Sequence, residues 1–309
     1  MAVLRAQDSG RQVILPDRCL VGRSRACDLT LTARDVSGQH AVLQWQDTCW
    51  ELQDLGSRNG THVDGVKLTP GARVNLRQGA AIGFGNEAPP FALVDASAPQ
   101  LMALRLAADT SRVADGGYLA LPDEQEPELC VYHDPHGQWL AERGGEAAPI
   151  EDRAVVALGD GDLWRVYLPR SCASTWASAE LLQVAQLRLR FAVSRDEEHV
   201  ELSTLFGERR LDTQTRAHNY LLLVLARRRL ADARAGLAVG EQGWIRQSEL
   251  LRMLRMDDNH LNISIHRART QLGRLGVTDA ASLVERRPRQ LRIGACALEL
   301  AALHEPDAP

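Results

Sequence analysis

The sequence predicts a multidomain chain that begins with an all-β sandwich at residues 1–98 and ends with an α+β domain at residues 186–303. Two observations lead to this fold class. The first third alternates short apolar runs with turn residues and has no helical period, whereas the last third carries apolar residues at helical spacing. A β-rich middle segment at residues 99–185 separates the two, and residues 304–309 form a tail. The length of 309 residues also favours roughly two domains.

In residues 1–98 we predict about ten short strands. Turn signals recur between them, for example at Pro16-Asp17, Asn59-Gly60 and Asp64-Gly65. Many short strands at this spacing, without a helical period, are typical of a β-sandwich.

The middle segment has strand-like runs at 129–132, 138–142, 155–158 and 163–168. The pattern from Trp139 onwards is similar to the second half of residues 1–98. Two interpretations therefore stand side by side: a degenerate second sandwich of the same kind, or a β-rich linker packed on a neighbouring domain.

In residues 186–303 the pattern predicts two strands, at 187–193 and 199–206, followed by helices at 213–235, 247–254 and 258–275 and a hairpin at 283–293 with its turn at Pro288. The third helix has one narrow apolar stripe, made of Leu261, Ile265, Ala268, Leu272 and Leu275. Asp257 or Asp258 can cap its start, and Gly276 can end it.

No motif of a catalytic nucleophile, dinucleotide site or P-loop occurs, so we expect a protein that is not an enzyme, with no catalytic residues and no cofactor. The six cysteines are scattered without a CxxC pair, so we expect free thiols and no metal site. Cys130, His133 and His136 have spacings that could hold a metal, but Asp134-Pro135-His136-Gly137 is also a plain β-turn, which we favour. The longest apolar run, 220–226, is too short for a membrane span, and no signal peptide is evident, so we expect a cytoplasmic protein.

Three short motifs in residues 1–98 give the most specific functional signal. They are Gly22-Arg23-Ser24, then Val36-Ser37-Gly38-Gln39-His40, then Leu55-Gly56-Ser57-Arg58-Asn59-Gly60-Thr61. They fall between strands, on loops that a sandwich would gather at one end. A guanidinium, a hydroxyl and loop amides make an anion site, and a phosphorylated side chain brings a charge of about −1.5 to −2 and three acceptor oxygens.

This pattern resembles the forkhead-associated (FHA) domain, whose motifs are GR, SxxH and SxNGT in this order. The resemblance covers residues 1–98 and implies binding of phosphothreonine, with a threonine-phosphorylated protein such as a Ser/Thr kinase or its substrate as the partner. It implies that Arg23 and Ser37 contact the phosphate. The residues that would hold the peptide are Ser57, Arg58 and Asn59, and those that would shape the loops are Gly22, His40, Gly60 and Thr61.

Two details qualify this site. We expect His40 to be a hydrogen-bonded structural histidine and not a catalytic base. The family often places a cation or an asparagine after the serine of the second motif, whereas this sequence has Gly38. The glycine removes a possible side-chain donor and predicts weaker phosphate affinity.

Residues 186–303 resemble the winged-helix output domain of two-component response regulators, a winged helix-turn-helix fold. The resemblance rests on element order and on the segments 243–254, 261–272 and 283–294. It implies binding of double-stranded DNA. The candidate groove-facing residues of the helix are Asn259, Ile263, His266, Arg267, Thr270 and Arg274, and those of the hairpin wing are Arg286, Arg287, Arg289 and Arg292. We expect Ile263 to be exposed, where it could meet a thymine methyl group.

Charge is distributed unevenly along the chain. The net charge is 0 for residues 1–98 (10 basic, 10 acidic), −8 for residues 99–185 (6 and 14) and +6 for residues 186–303 (20 and 14). A basic domain fits DNA, although the same arginines could form a solvated face with acidic partners. An acidic segment can also lie against a basic surface and compete with phosphates.

We therefore interpret the chain as a bacterial signalling and transcriptional regulator that binds phosphothreonine and DNA. The alternative is a phospho-dependent adaptor whose winged helix contacts protein and not DNA. Asp257 and Asp258 favour the alternative, because they put negative charge where the helix would approach DNA.

Overall fold

The computed structural model of the chain describes residues 2–86, 90–108, 110–134, 136–159, 161–169, 182–211, 218–294 and 297–303. These residues form a β-rich structure with 26 strands and three α-helices. The chain divides into two compact units. The first comprises Met1–Val113, Asp152–Val156 and Trp164–Thr175, and the second comprises Ala114–Glu151, Ala157–Leu163 and Trp176–Pro309.

Eleven strands form the sandwich at the start of the first unit. They are β1 (Val3–Ala6), β2 (Gln12–Ile14), β3 (Arg18–Gly22), β4 (Leu29–Thr30), β5 (Ala41–Gln46), β6 (Cys49–Asp54), β7 (Thr61–Val63), β8 (Val66–Lys67), β9 (Arg73–Leu76), β10 (Ala81–Phe84) and β11 (Phe91–Asp95). A six-stranded sheet has the order β2-β1-β11-β10-β7-β8, and a five-stranded sheet has the order β4-β3-β5-β6-β9. The predicted N-terminal sandwich is confirmed.

Alternation along the strands fills the core of this sandwich. In β6 the side chains of Trp50 and Leu52 are fully buried, while their neighbours are half-buried, because successive residues of a strand point to opposite faces. Phe84 and Phe91 from the other sheet join the same apolar cluster. The indole nitrogen of Trp50 donates to the carbonyl of Ser97 at 3.1 Å, which satisfies its one polar atom.

Residues 102–167 form two further four-stranded sheets. Their strands are β12 (Met102–Arg105), β13 (Ser111–Val113), β14 (Leu119–Leu121), β15 (Leu129–His133), β16 (Trp139–Arg143), β17 (Glu146–Pro149), β18 (Val155–Leu158) and β19 (Asp162–Tyr167). One sheet has the order β13-β12-β19-β18 and the other the order β14-β15-β16-β17. The four strands predicted here are confirmed. Residues of this middle segment contribute to both units, the sheet β14–β17 to the second.

Within the first unit, the carboxylate of Asp28 fastens the end of the middle segment to the sandwich. It accepts from the backbone N–H of Leu20 at 2.8 Å, from the Arg153 guanidinium at 3.0 Å and from the Tyr167 hydroxyl at 3.0 Å. A buried carboxylate needs such partners, because burying its charge without them costs about several kcal/mol of stability.

The second unit contains the three helices and two more sheets. Its helices are α1 (Asn219–Arg234), α2 (Gln247–Leu254) and α3 (Asp258–Arg274), and its strands are β20 (Leu187–Val193), β21 (Val200–Phe206), β22 (Arg209–Leu211), β23 (Ile245–Arg246), β24 (Val284–Arg287), β25 (Gln290–Ile293) and β26 (Ala297–Ala302). The sheets have the orders β22-β21-β20-β26 and β23-β25-β24. The predicted hairpin is confirmed, and so are the predicted second and third helices; residues 213–217 of the first predicted helix lie outside the described residues.

Helix α3 begins and ends as the sequence predicts. The side chain of Asp257 accepts from the N–H of His260 at 2.8 Å, an N-cap, and Gly276 follows the helix with a φ of +89°. The apolar stripe packs into the core of this unit together with α1 and both sheets. None of the described helices combines the length and the apolar character that a bilayer crossing requires.

Candidate functional site

The three sequence motifs lie on loops that hydrogen bonds tie to one another. Arg23 follows β3, and its backbone N–H donates to the carbonyl of Ser37 at 2.8 Å. The hydroxyl oxygen of Ser37 accepts from the N–H of Arg58 at 3.1 Å. Since that bond uses a lone pair, the hydroxyl proton of Ser37 stays available for an anion. Arg23 and Arg58 are both exposed.

Gly22 is required by the close approach of two of these loops. Its backbone lies against the carbonyl oxygen of Gly38, and any side-chain Cβ at position 22 would overlap that oxygen. A separate hydrogen bond directs the side chain of Arg23, whose Nε donates to the carbonyl of Val36 at 3.3 Å. A residue without a side chain at position 22 is therefore what this close approach requires.

His40 joins the second motif to the third. It is fully buried, its Nδ1 accepts from the N–H of Ser37 at 3.1 Å, and its Nε2 lies 3.1 Å from the carbonyl oxygen of Gly60. Burial lowers the pKa of His40, which keeps the ring neutral with its proton on Nε2. The ring is therefore hydrogen-bonded on both nitrogens, and its role as a structural histidine stays a prediction.

A residue that the sequence analysis missed, Asp54, organises the third loop. Its buried carboxylate accepts from the N–H of Gly56 at 2.8 Å, from the hydroxyl of Ser57 at 2.5 Å and from the hydroxyl of Thr61 at 2.6 Å. Burial alone would raise its pKa, but the bonds from Ser57 and Thr61 outweigh burial and lower it. The signal was present in the sequence, since an aspartate two residues before a glycine in a turn segment, as at Asp54-Leu55-Gly56, is typical of an Asx turn.

The structure gives Ser57 a place that differs from the predicted one. We expected Ser57 to hold the peptide, but its side chain is buried and already donates its proton to Asp54. Its neighbour Arg58 is exposed, and the amide of Asn59 donates to the carbonyl of Asp35 at 2.7 Å. Ser57 thus holds the loop, while Arg58 and Asn59 lie at its rim.

Comparison with known proteins assigns this part of the chain. Residues 19–85 match the family model of the FHA domain. The N-terminal part of the chain is an FHA domain. The match covers the strands from β3 to β10 and all three motif loops.

Curated relatives share this region. FHA domain-containing protein FhaB of Mycobacterium tuberculosis is 36% identical over 76 residues, which are 24% of this chain and 49% of the relative. FhaB of Mycolicibacterium smegmatis is 38% identical over 66 residues, 21% of this chain and 41% of the relative. The chain thus spans about half the length of these relatives or less.

Solved structures also align with the FHA domain. Mycobacterium tuberculosis EmbR in complex with a low-affinity phosphopeptide is 28% identical, with a TM-score of 0.28, over 31% of this chain and 25% of that one. The FhaA FHA domain complexed with the intracellular domain of Rv3910 is 26% identical, with a TM-score of 0.27, over 30% of this chain and 98% of that one.

The second candidate site, on α3, is more buried than the sequence predicts. Asn259 and Arg267 are exposed, as expected. Ile263, His266 and Thr270 are 7%, 5% and 5% exposed, so the prediction of an exposed isoleucine is wrong. The apolar stripe is not the only covered part of α3. Within the second unit, the sheet β14–β17 and the turn before it, residues 115–118, also pack on this helix. We call this sheet and turn the cover.

Ion pairs and polar contacts join the cover to α3. Arg274 forms a bidentate pair with Asp115, with its Nε 2.9 Å from each carboxylate oxygen. Arg269 is buried, and its guanidinium donates to the carboxylate of Glu142 at 2.8 Å. The ring of His266 lies with its Nδ1 3.5 Å from the thiol sulfur of Cys130.

Glu142 is the centre of these contacts. Arg286 of β24 lies 3.2 Å from its carboxylate, and the Tyr132 hydroxyl donates to it at 2.9 Å. Burial opposes its ionisation, but the charges of Arg269 and Arg286 prevail and lower the pKa of Glu142 to about 2. The carboxylate is therefore charged at neutral pH.

The predicted wing arginines also have partners within the unit. The guanidinium groups of Arg287 and Arg292 lie 4.2 and 4.5 Å from the ring centre of Trp244, and Arg292 pairs with Glu285 at 2.6 Å. Arg289, in the turn of the hairpin, is exposed with a φ of +62°. Of the four predicted wing residues, Arg289 is thus the most accessible.

A metal site at Cys130, His133 and His136 does not form in the part of the chain that the structure describes, where no three metal-binding side chains cluster. The segment is the predicted turn, in which the N–H of Gly137 donates to the carbonyl of Asp134 at 3.2 Å. Cys130 instead faces His266.

Acid should weaken the second unit through His266. Burial, and then the nearby charge of Arg269, lower the pKa of His266 to about 4, below the ordinary value of about 6.5. On acidification the unfolded chain takes up this proton first, so the stabilisation is complete above about pH 6.5 and is lost as the pH falls towards 4. Between about pH 7.5 and pH 5 we expect this group to lower the free energy of unfolding by roughly 2 kcal/mol.

The measurement is urea unfolding followed by far-ultraviolet ellipticity, which reports on this unit because the described helices lie within it. The variant His266→Asn should depend less on pH than the wild type, and the control His136→Asn, at an exposed histidine, should match the wild type. Equal pH dependence of all three proteins would contradict a neutral, buried His266.

Proposed function

We propose that the FHA domain of this chain binds a threonine-phosphorylated partner protein, and that the chain acts by binding and not by catalysis. FHA domains bind phosphothreonine-containing partners. The observation that carries the proposal is the junction at Ser37, whose carbonyl accepts from the N–H of Arg23 and whose hydroxyl accepts from the N–H of Arg58, while both arginines are exposed.

The chemistry of this junction suits a phosphate dianion. Charge-assisted bonds from a guanidinium are stronger than neutral ones, and the exposed Arg23 and Arg58 can supply them. Ser37 has a proton to donate, and its oxygen is already fixed by the Arg58 N–H. Because the loops are held by His40 and Asp54, little ordering is left for the moment of binding.

Removing the guanidinium of Arg23 should abolish most of the affinity. A charge-assisted hydrogen bond to phosphate is worth about 1.5–3 kcal/mol, so Arg23→Ala should weaken binding roughly 10- to 150-fold. The measurement is isothermal titration of the full chain with the tightest phosphothreonine peptide from a library scan. The control Arg5→Ala removes an exposed arginine from β1. Equal affinity of Arg23→Ala and wild type would refute the assignment.

Adding a donor at Gly38 should strengthen the same interaction. A Cβ at this exposed position meets no atom within 4 Å, so a side chain fits there. Gly38→Asn should raise phosphopeptide affinity by roughly 3- to 10-fold, the value of one added hydrogen bond after ordering costs. Gly38→Ala, which adds the Cβ without a donor, should leave affinity unchanged. A gain for alanine equal to that for asparagine would show that backbone stiffening, and not phosphate contact, is responsible.

As a second function, we propose that residues 186–303 bind duplex DNA. The supporting observation is the sequence of elements α2, a turn, α3 and the hairpin β24–β25, with exposed arginines around it. These are Arg246, Arg252, Arg255, Arg267 and Arg289. The carbonyl of Arg289 accepts from the N–H of Gln247 at 2.9 Å, so the hairpin turn adjoins the start of α2. Phosphates favour helix starts and arginine clusters of this kind.

Duplex affinity of the full chain should depend on salt through the exposed arginines. Each phosphate contact contributes a slope of about −0.9 in a plot of log affinity against log salt, so Arg267→Ala with Arg289→Ala should flatten the slope by about 2. Fluorescence anisotropy with a mixed duplex of about 30 base pairs measures it. The control Arg195→Ala lies in the exposed turn between β20 and β21. If the double variant has the wild-type slope, these arginines do not meet phosphates.

A protein partner for α3 is the competing possibility, because the exposed Asp257 and Asp258 put negative charge at the start of this helix. If neither the wild type nor the variants Gly273→Ala and Glu142→Gln bind a duplex at about 50 mM salt, the phospho-dependent adaptor remains as the function.

A further inference from the structure

We propose that the cover is a displaceable intramolecular occupant of a polyanion-binding face on α3 and the hairpin β24–β25, and that its displacement by duplex DNA switches this face on. The inference rests on the proposed binding of DNA and adds its regulation. The segment that occupies this face is the chain's own sheet β14–β17 with the turn before it.

The first support is charge complementarity. The cover places Asp115 on Arg274 and Glu142 between Arg269 and Arg286. Glu124 lies 3.8 Å from Arg274 as well. Carboxylates of the cover thus take the positions on these three arginines that phosphates of a duplex would take.

The second support is a backbone contact at the end of α3. The turn that opens the cover has glycines at φ of +55° and +82°, Gly116 and Gly117. Gly116 rests directly on Gly273 of α3, and a Cβ on Gly273 would overlap the Gly116 carbonyl. The cover can therefore lie on α3 only while position 273 has no side chain.

The third support is incomplete packing between the cover and the domain beneath it. A cleft of about 1510 Å³ runs between Leu140 and Glu142 of the cover and Arg286 and Arg289 of the hairpin. A second cavity of about 320 Å³ lies between Cys130 and His266. Among the described residues, the buried Nε of Arg269 and Oγ1 of Thr270 have no hydrogen-bond partner. Such an interface is held by ion pairs more than by close packing, and buried ion pairs add little net stability.

Apolar contact is present but limited. Tyr118, Tyr132 and Leu140 of the cover reach the core of the second unit, and the Tyr118 ring meets the edge of His266 at 6.3 Å between centroids. These contacts hold the cover closed in the absence of a competing anion. A duplex that binds the open form more tightly shifts the population towards it.

The test uses the full chain and two variants that favour opening. Gly273→Ala adds a Cβ that the turn at Gly116 cannot accommodate, and alanine is also the better helix former, so α3 itself is not weakened. Glu142→Gln removes the charge that pairs with Arg269 and Arg286. The matched control is Gly240→Ala, because a Cβ there meets nothing within 4 Å.

Two measurements report separately on opening and on binding. Cys130 is half-buried against His266, and burial raises the pKa of its thiol to about 12, so lifting the cover should speed its labelling by a maleimide, mapped by mass spectrometry. Anisotropy with a labelled mixed duplex of about 30 base pairs reports on binding. We expect both variants to label Cys130 faster and to bind the duplex roughly 5- to 150-fold more tightly than wild type, with unchanged helix content, and the control to behave as wild type.

Each of the other outcomes contradicts a specific part of the proposal. Faster labelling with no duplex binding by the wild type or by either variant refutes the polyanion face, and with it the proposed DNA function. If the wild type binds the duplex as tightly as the opened variants, DNA binding stands and the cover has no role in it. If neither variant labels faster than wild type, the cover is a fixed part of the domain and the inference is wrong.

Discussion

The proposed phosphopeptide site depends on one buried carboxylate, that of Asp54. An aspartate taken out of water must be paid for with hydrogen bonds, and the donors within reach are the backbone and the hydroxyls of residues 56–61. Satisfying that carboxylate draws the third loop into a fixed curve. The curve brings the N–H of Arg58 to the hydroxyl of Ser37 and the carbonyl of Gly60 to His40. The groups that we propose to recognise the phosphate are thus positioned by a carboxylate that is itself buried.

The second unit also contains a buried, hydrogen-bonded carboxylate, but this one connects separate elements. Glu142 is a buried carboxylate satisfied by Tyr132, Arg269 and Arg286, which belong to the cover, α3 and the hairpin. Its bonds therefore join separate elements of the unit, whereas those of Asp54 close a single loop. A loop held by hydrogen bonds from its own backbone has little reason to open. An interface held by ion pairs can exchange one set of anions for another, which is why the two units are assigned different roles.

The sequence was most informative where local rules decide the structure. Strand alternation, the cap at Asp257 and the turn glycines predicted most elements of the two ends of the chain, and the three motifs predicted which loops meet. The sequence did not predict burial where it depends on contacts between segments that are far apart in the chain. Periodicity marks Ile263 and His266 as the outer face of a helix, but cannot tell that residues from 115 to 149 will pack there. Ser57 was misplaced for a related reason, because a serine in a binding motif looks the same whether its hydroxyl faces a ligand or a buried aspartate.

The central claim is that a phosphothreonine peptide binds where the loops at Arg23, Ser37 and Arg58 meet. Amide chemical shifts of the isotope-labelled full chain, titrated with a phosphothreonine peptide and with its unphosphorylated form, test it most directly. The account predicts that the phosphopeptide alone shifts the amides of residues 22–24, 37–39 and 57–60, while the buried strands of the sandwich change little. Equal shifts with both peptides, or shifts confined to residues outside these loops, would contradict it.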